Sequence, residues 1–293
     1  MNGYNKFNLD TNIIGIIGHP IRHSFSPLMH NISFELNSLN YIYIPFDVPL
    51  NTLKAAIKGM VALGIKGFNI TLPHKENIVG FLRNVSEEAS IVGAVNTVVN
   101  ENGVLSGYNT DVHGVYETLL PFKDTITGGN VSIFGAGGGA RSAIYTLIRN
   151  FKPERINIIN RTEQKGESLK EYFATRMHFN EIKSYELVPP DLIDVLKDSS
   201  LIINTTSVGM YPNVDDSVTT IDQSFVKGQV VFDYVYNPLR TKFLQLAESQ
   251  GATAVDGLKM LVHQGAKAFE LWTGQQMPTD KIHKALKLYI ETK

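Results

Sequence analysis

Short apolar runs alternate with amphipathic stretches along most of the chain. Runs rich in Ile, Val, Phe and Tyr recur over 13–17, 41–48, 67–70, 95–99 and 104–107, and again over 131–134, 156–159, 182–185, 201–204 and 230–232. Their length and their β-branched and aromatic content predict strands. Helical spacing of apolar positions predicts helices over 27–36, 50–63, 111–120, 141–148, 164–173, 258–272 and 279–292. Such alternation predicts an α/β chain with mostly parallel sheets. Pro45 lacks an amide hydrogen, so the 41–48 strand is expected at a sheet edge or to end there. Asn102-Gly103 marks a tight turn between two strands. Residues 121–129 read as a loop, and Phe269 and Trp272, on one helix face, read as core.

Composition narrows the picture. A chain of 293 residues exceeds the usual single domain, so two are expected. A net charge of −1 without charged blocks speaks against nucleic acid as a partner. No apolar run is long enough to span a membrane. The first residues are polar and lack the core of a signal peptide, so a cytoplasmic location is expected. With no cysteine there are no disulfides or thiolates, and the eight histidines show no ligand spacing, so no metal site is expected.

One stretch carries specific chemistry. The strand Val131-Ser-Ile-Phe134 runs into Gly135-Ala136-Gly137-Gly138-Gly139-Ala140 and then into a helix. Gly135, Gly137 and Ala140 occupy the G-x-G-x-x-A positions. Those residues give a sharp turn, close backbone approach to a pyrophosphate, and tight helix–strand packing. The helix N-terminus offers N–H groups to phosphate. The next strand ends in Asn160, followed by Arg161 and Thr162, where a carboxylate would mark NAD. A neutral residue beside a guanidinium instead suits a 2′-phosphate, and NADP is favoured. The plainer alternative makes Asn160 a helix cap and Arg161 a solvated charge, and Glu163 and Lys165 lie close by.

Four segments of the first half hold more polar side chains than packing needs: Arg22-His-Ser24-Phe-Ser26-Pro27, Gly67 to Lys75, Gly93 to Thr97, and Gly107 to Asp111. All fall at strand ends or strand-to-helix turns. Ammonium chemistry at Lys75, beside the positive end of an expected helix, is odd for a cap and suits a proton donor. Each residue also has an ordinary reading. Asp111 and Ser26 can cap helices. Asn69 and Asn96 can satisfy loop backbone, Gln264 can lie on the surface, and His23 and His74 can merely shape a pocket.

Together these motifs resemble the shikimate dehydrogenase family. The resemblance continues through Asn160-Arg-Thr162, Asn204-Thr-Thr-Ser-Val-Gly-Met210, Asp233-Tyr-Val-Tyr236-Asn-Pro238, and Asp256 to Gly265. It implies two α/β domains, with a Rossmann-like NADP domain at 111–256 inserted into a split substrate-binding domain at 1–110 and 257–293, and a cleft between them. It implies reversible reduction of 3-dehydroshikimate to shikimate with NADPH, in aromatic amino-acid biosynthesis. Lys75 and Asp111 match the catalytic pair. Ser24 and Ser26 match the hydroxyls on the substrate carboxylate. Thr71, Asn96 and Gln264 match residues on the ring hydroxyls, and Tyr236 matches a tyrosine near the substrate. Gly135 to Ala140, Asn160, Arg161, Thr162 and Thr205 match the cofactor loops, and Gly257 and Met260 match residues beside the nicotinamide. A stand-alone enzyme, monomer or homodimer, with a small-molecule substrate is expected. The competing readings are a quinate/shikimate dehydrogenase using NAD and a non-catalytic NADPH-binding sensor.

Overall fold

The computed structural model describes residues 7–22 and 24–292. Its strands are β1 (Asn12–Gly18), β2 (Tyr41–Asp47), β3 (Gly67–Ile70), β4 (Asn84–Val85), β5 (Thr97–Glu101), β6 (Val104–Tyr108), β7 (Asn130–Phe134), β8 (Arg155–Asn160), β9 (Ile182–Glu186), β10 (Ser199–Asn204), β11 (Val230–Asp233) and β12 (Thr253–Val255). Its α-helices are α1 (Ser26–Leu36), α2 (Leu53–Ala62), α3 (Glu87–Val92), α4 (Asp111–Leu119), α5 (Lys123–Ile126), α6 (Gly138–Thr146), α7 (Glu163–Met177), α8 (Ile193–Lys197), α9 (Lys242–Ser249), α10 (Leu258–Thr273) and α11 (Thr279–Glu291). The chain divides into two units, Met1–Thr110 with Val262–Tyr289, and Asp111–Leu261 with Ile290–Lys293.

The first unit holds a mixed sheet in the order β2-β1-β3-β5-β6-β4. Strands β2, β1 and β3 are parallel, whereas β5 runs antiparallel to both β3 and β6. β2 is the edge strand that Pro45 requires. The β5–β6 turn puts Asn102 and Gly103 both at positive φ, as a tight hairpin with the strand twist demands. One core cluster packs Ile17, Phe68, Ile70, Val95 and Val98 against Leu53, Ile57 and Met60 of α2. A second cluster is aromatic. The His30 ring stacks on Tyr43 at 4.5 Å between centroids, and meets Trp272 edge-on at 5.3 Å. Neither ring nitrogen of His30 has a hydrogen-bond partner, and burial pulls its pKa down to about 3. Trp272 donates from Nε1 to the Val98 carbonyl at 3.0 Å. Glycine is required opposite it, because a Cβ on Gly67 would stand 2.3 Å from that nitrogen.

The second unit is a wholly parallel sheet in the order β12-β11-β10-β7-β8-β9. The strand order reverses between β7 and β10, so the loops leaving those two strands diverge at the place where parallel sheets bind ligands. Phe134, Ile159, Ile202 and Val231 form a core with Phe243, Leu244 and Ala247 of α9.

The structure corrects several element boundaries. The helix after the glycine cluster begins at Gly138 rather than 141, because its first turn is made of the glycines themselves. The 50–63 segment opens as a 3₁₀ turn, Leu50–Thr52, before α2. The expected loop at 121–129 contains α5. Helices α3, α8 and α9 and strands β4 and β12 were not expected, being eight residues or fewer. The second division between the two units falls within α10, between Leu261 and Val262.

Candidate active site

In the first unit the polar groups gather beyond β3 and β5. The chain leaves β3 at Thr71, whose N–H donates to the Ile17 carbonyl, and turns back through His74, whose N–H donates to the Thr71 carbonyl. His74 is fully buried, and its Nε2 lies 2.6 Å from the Val48 carbonyl oxygen. It therefore ties the turn to the chain after β2. Lys75 follows, half-buried, with its carbonyl accepting from Val95 N–H at 2.8 Å. It stands in an irregular turn ahead of the 3₁₀ segment Asn77–Phe81, not in the first turn of a helix. The expected helix start at Lys75 is absent, so no α-helix dipole acts on its ammonium; its place is set by backbone bonds on both sides.

Beside this turn lies a buried hydrogen-bond network. Asn96 accepts at Oδ1 from Thr110 N–H at 2.7 Å and from Thr97 Oγ1 at 3.1 Å, and donates from Nδ2 to Thr110 Oγ1 at 3.0 Å. Gln264 joins through Oε1, 3.5 Å from both Asn96 Nδ2 and Thr110 Oγ1. Residues 168 positions apart thus meet in one cluster, with Gln264 only 8% exposed. Gln264 is not a surface residue. Asn69 supports the same cluster, donating to the Asn96 carbonyl at 3.1 Å and Thr97 Oγ1 at 3.0 Å, while Tyr43 donates its hydroxyl to Asn69 Oδ1 at 2.6 Å.

The serine pair exchanges its expected roles. Ser26 is the first residue of α1 and buried, and the cap position falls to Phe25 without a side-chain bond. Ser24 instead accepts from Ser26 N–H at Oγ, 3.3 Å away. His23 lies outside the described residues.

In the second unit the site is made largely of backbone. Gly135 leaves β7 at φ +107, and a Cβ there would be 2.7 Å from Thr205 Oγ1. Thr205 closes the switch point from the β10 side, giving both its N–H (3.0 Å) and its hydroxyl (2.7 Å) to the Phe134 carbonyl. Its hydroxyl thus anchors the loop. Ala136 is half-buried. Gly137 caps α6 and has open space where a side chain would stand. Gly138, Gly139 and Ala140 form the first turn, whose N–H groups have no partner within the helix. The Tyr234 hydroxyl bonds the Gly139 carbonyl at 3.4 Å. Burial, together with the field of the Asp111 carboxylate, pushes the Tyr234 phenol well above its ordinary range. Asp111 is the first residue of α4 and is buried, so its carboxylate sits at the favourable end of that helix.

Gly257 passes so close to the β11 end that a Cβ would stand 2.2 Å from the Tyr234 carbonyl oxygen. Met260 is buried one turn further on, and Tyr236 is half-buried in the loop after β11. At the end of β8, Asn160 does not cap α7, because Thr162 holds that position. It donates to the Thr162 carbonyl at 2.8 Å and shapes the turn that carries Arg161. Arg161 is exposed and, among the described residues, makes no ion pair.

One group of residues has motif positions in the sequence but no role assigned from it. Asp233, at the end of β11, is fully buried. It accepts from Asn204 Nδ2 at 3.0 Å, Val235 N–H at 3.0 Å and Thr241 Oγ1 at 2.7 Å. Asn204 in turn accepts from both N–H and Oγ1 of Thr206. Asp233 therefore binds together the loops after β10 and β11. Burial raises its pKa to about 7, and nearby Asp256 adds to the rise, against the pull of its three donors. The signal available in the sequence was an acid at a strand end.

Among the described residues there is no group of three His, Asp or Glu placed to hold a metal, and no helix long and apolar enough to cross a membrane. Residues 16–98 match the family described as shikimate dehydrogenase substrate binding domain, and residues 257–287 match the shikimate 5'-dehydrogenase C-terminal domain. A shikimate dehydrogenase (NADP(+)) of Caldanaerobacter subterraneus is 43% identical over 282 residues, covering 96% of this chain and 99% of that protein. Among solved structures, a shikimate dehydrogenase in complex with NADP+ superposes with a TM-score of 0.88 at 39% identity, covering 97% of each chain. A quinate dehydrogenase of Corynebacterium glutamicum in complex with NAD superposes with a TM-score of 0.84 at 25% identity, covering 94% of this chain and 98% of that one.

Proposed function

The chain belongs to the shikimate dehydrogenase family, and from that membership we propose that it reduces 3-dehydroshikimate to shikimate reversibly with NADPH. It is an NADP-dependent oxidoreductase of the shikimate pathway to aromatic amino acids. The observation that carries this reading is the 43% identity to an NADP-dependent shikimate dehydrogenase over nearly the full length of both chains.

The residues fit the cofactor. Gly137 leaves room for a pyrophosphate, the first turn of α6 has N–H groups without partners in the helix, and Arg161 is a fork-shaped cation with no ion-pair partner among the described residues. When bound, NADPH supplies the hydride for the ketone carbon. The substrate domain is taken as residues 1–110 with 257–293, and the NADP domain as 111–256. Ser24 and Ser26 hold the substrate carboxylate. Thr71, Asn96 and Gln264 hold the ring hydroxyls, and the bonds around Asn96 keep those amides oriented before substrate arrives. Tyr236 adds a hydroxyl near the substrate. Negative charge develops on the ketone oxygen during reduction, and Lys75 meets it with an ammonium and gives it a proton. Asp111 completes the acid–base pair. Gly135 to Ala140, Thr205 and Gly257 provide the close backbone surface, Asn160, Arg161 and Thr162 the 2′-phosphate turn, and Met260 an apolar wall for the nicotinamide. A cytoplasmic enzyme, monomer or homodimer, goes with this reading, and light scattering of the purified chain reads the oligomeric state.

The test is an initial-rate comparison of NADP+ and NAD+ with shikimate and with quinate. The proposal expects the highest kcat/KM for shikimate with NADP+. Preferred turnover of quinate with NAD+ would move the chain to the quinate branch, and no turnover with any pair would make it a binding protein.

A further inference from the structure

A pocket of about 430 Å³ opens in the first unit, formed by residues to which the reading above gives no part. One wall is a face of α2, with Lys54, Ile57, Lys58, Val61 and Ala62 at helical spacing. The opposite wall is Phe81, Arg83 and Leu105, with Gly103 at the hairpin tip. The floor is apolar: Ile57 and Leu105 belong to the core itself, so the pocket reaches from the surface down to the core. Phe81 adds the edge of a ring that is 37% exposed.

The rim is charged with one sign only. Lys54, Lys58 and Arg83 line the pocket and no Asp or Glu does. Among the described residues none of the three cations is in an ion pair or side-chain hydrogen bond. Lys54 and Lys58 lie one helical turn apart, a like-charge spacing that weakens a helix unless something offsets it. Arg83 is placed by its backbone, whose N–H donates to the Leu105 carbonyl at 3.0 Å. Gly103 keeps the mouth clear, since the nearest atom to a Cβ there would be Val61 Cγ1 at 3.7 Å. The size is that of a small-molecule site, roughly 300–1,000 Å³.

We propose that this pocket binds a small aromatic carboxylate, its ring on Ile57, Val61, Phe81 and Leu105 and its carboxylate between Lys54, Lys58 and Arg83. An apolar floor excludes a bare inorganic anion as the preferred ligand, and the unmatched cations disfavour a neutral ring. Because the cations are exposed, their share of the affinity falls with salt.

The experiment is a titration of the full chain, saturated with NADP+, with 3-phenylpropanoate, followed by amide chemical shifts. Perturbations are expected at residues 54–62, 81–83 and 103–105. Propanoate, which lacks the ring, and 3-phenylpropan-1-ol, which lacks the charge, should each bind about tenfold more weakly or worse. The triple variant K54Q/K58Q/R83Q should lose at least about tenfold in affinity while keeping its turnover of shikimate. Ala62→Phe, which fills the pocket from the exposed end of α2, should abolish the shifts. No perturbation up to about 10 mM, where even a millimolar site fills, would overturn the proposal. So would perturbations centred elsewhere, or affinity for the alcohol equal to that for the acid.

Discussion

The glycine loop after β7 and the polar cluster around Asn96 are built in opposite ways. The loop works by what is absent: Gly135 and Gly137 leave backbone where side chains would stand, and a Cβ on Gly135 would lie 2.7 Å from Thr205 Oγ1. The cluster works by side chains that satisfy one another, Asn96 with Thr97, Thr110 and Gln264. A backbone site can be assembled from one short local segment. A side-chain site needs residues from β3, β5, the chain after β6, and α10, and so depends on the fold being complete. The two designs predict different kinds of damage. Substitutions at the polar side chains should act on chemistry and substrate, those at buried titratable groups on acid stability, and those at the cofactor turn on the choice of nucleotide.

The largest effect is expected at Lys75. Lys75→Ala should lower kcat by about 10²- to 10⁴-fold with a much smaller change in shikimate KM, because the substrate keeps its other partners. Asp111→Asn should also lower kcat. A near-normal kcat in the Lys75 variant would break the assignment of chemistry to this residue.

Next is acid stability. His30 is held neutral, its folded pKa being about 3 against 6.5 when free. The unfolded chain therefore binds the extra proton between those values, and stability present above pH 6.5 is lost as pH falls toward 3, by an amount on the order of 4 kcal/mol. Asp233 acts with the opposite sign. Its raised pKa of about 7, against 3.8, means that it favours the folded state at low pH and loses that effect as pH rises through 7. Denaturant unfolding of His30→Leu across this range should show a smaller acid loss than the unsubstituted chain. Equal losses would mean that His30 titrates elsewhere.

Smaller effects belong to the carboxylate grip. Ser24→Ala and Ser26→Ala should each raise shikimate KM, equivalent to roughly 1.5–3 kcal/mol for a hydrogen bond to a charged group. NADP+ KM should be unaffected. Because Ser24 also bonds the Ser26 N–H, the melting temperature distinguishes a lost helix start from a lost ligand contact.

The smallest is at the nucleotide turn. Arg161→Ala should weaken NADP+ binding by at least about tenfold, or about 1.4 kcal/mol, and leave NAD+ use flat or improved. Equal harm to both nucleotides would move the 2′-phosphate away from Arg161 and make Glu163 the residue to examine.

The same contrast explains what could be read from the chain. The strand runs at 67–70, 131–134 and 201–204 were legible because buried parallel strands are short, apolar and bounded by turns. The glycine loop was legible because its spacing follows from one local requirement. Helices α3 and α8 were not, being too short to establish a period. Lys75 was expected beside the start of a helix, yet its turn is set by the His74 N–H bond to the Thr71 carbonyl and by the bond from Val95 N–H, which comes from another segment. The burial of Gln264 depends on residues 154 and 168 positions away. Asp233 was hidden for a similar reason: its partners Asn204 and Thr241 lie on either side of it in sequence, and only the adjacency of β10 and β11 brings Asn204 to it.

The most direct test of the division of labour is a crystal structure of the ternary complex with NADP+ and shikimate. The account predicts the 2′-phosphate in the fork of Arg161, the pyrophosphate over Gly137 and the first turn of α6, the shikimate carboxylate on Ser24 and Ser26, and Lys75 Nζ within hydrogen-bond distance of the hydroxyl that is oxidised. A shikimate ring bound away from Lys75 and Asn96, or a 2′-phosphate that does not touch Arg161, would contradict it.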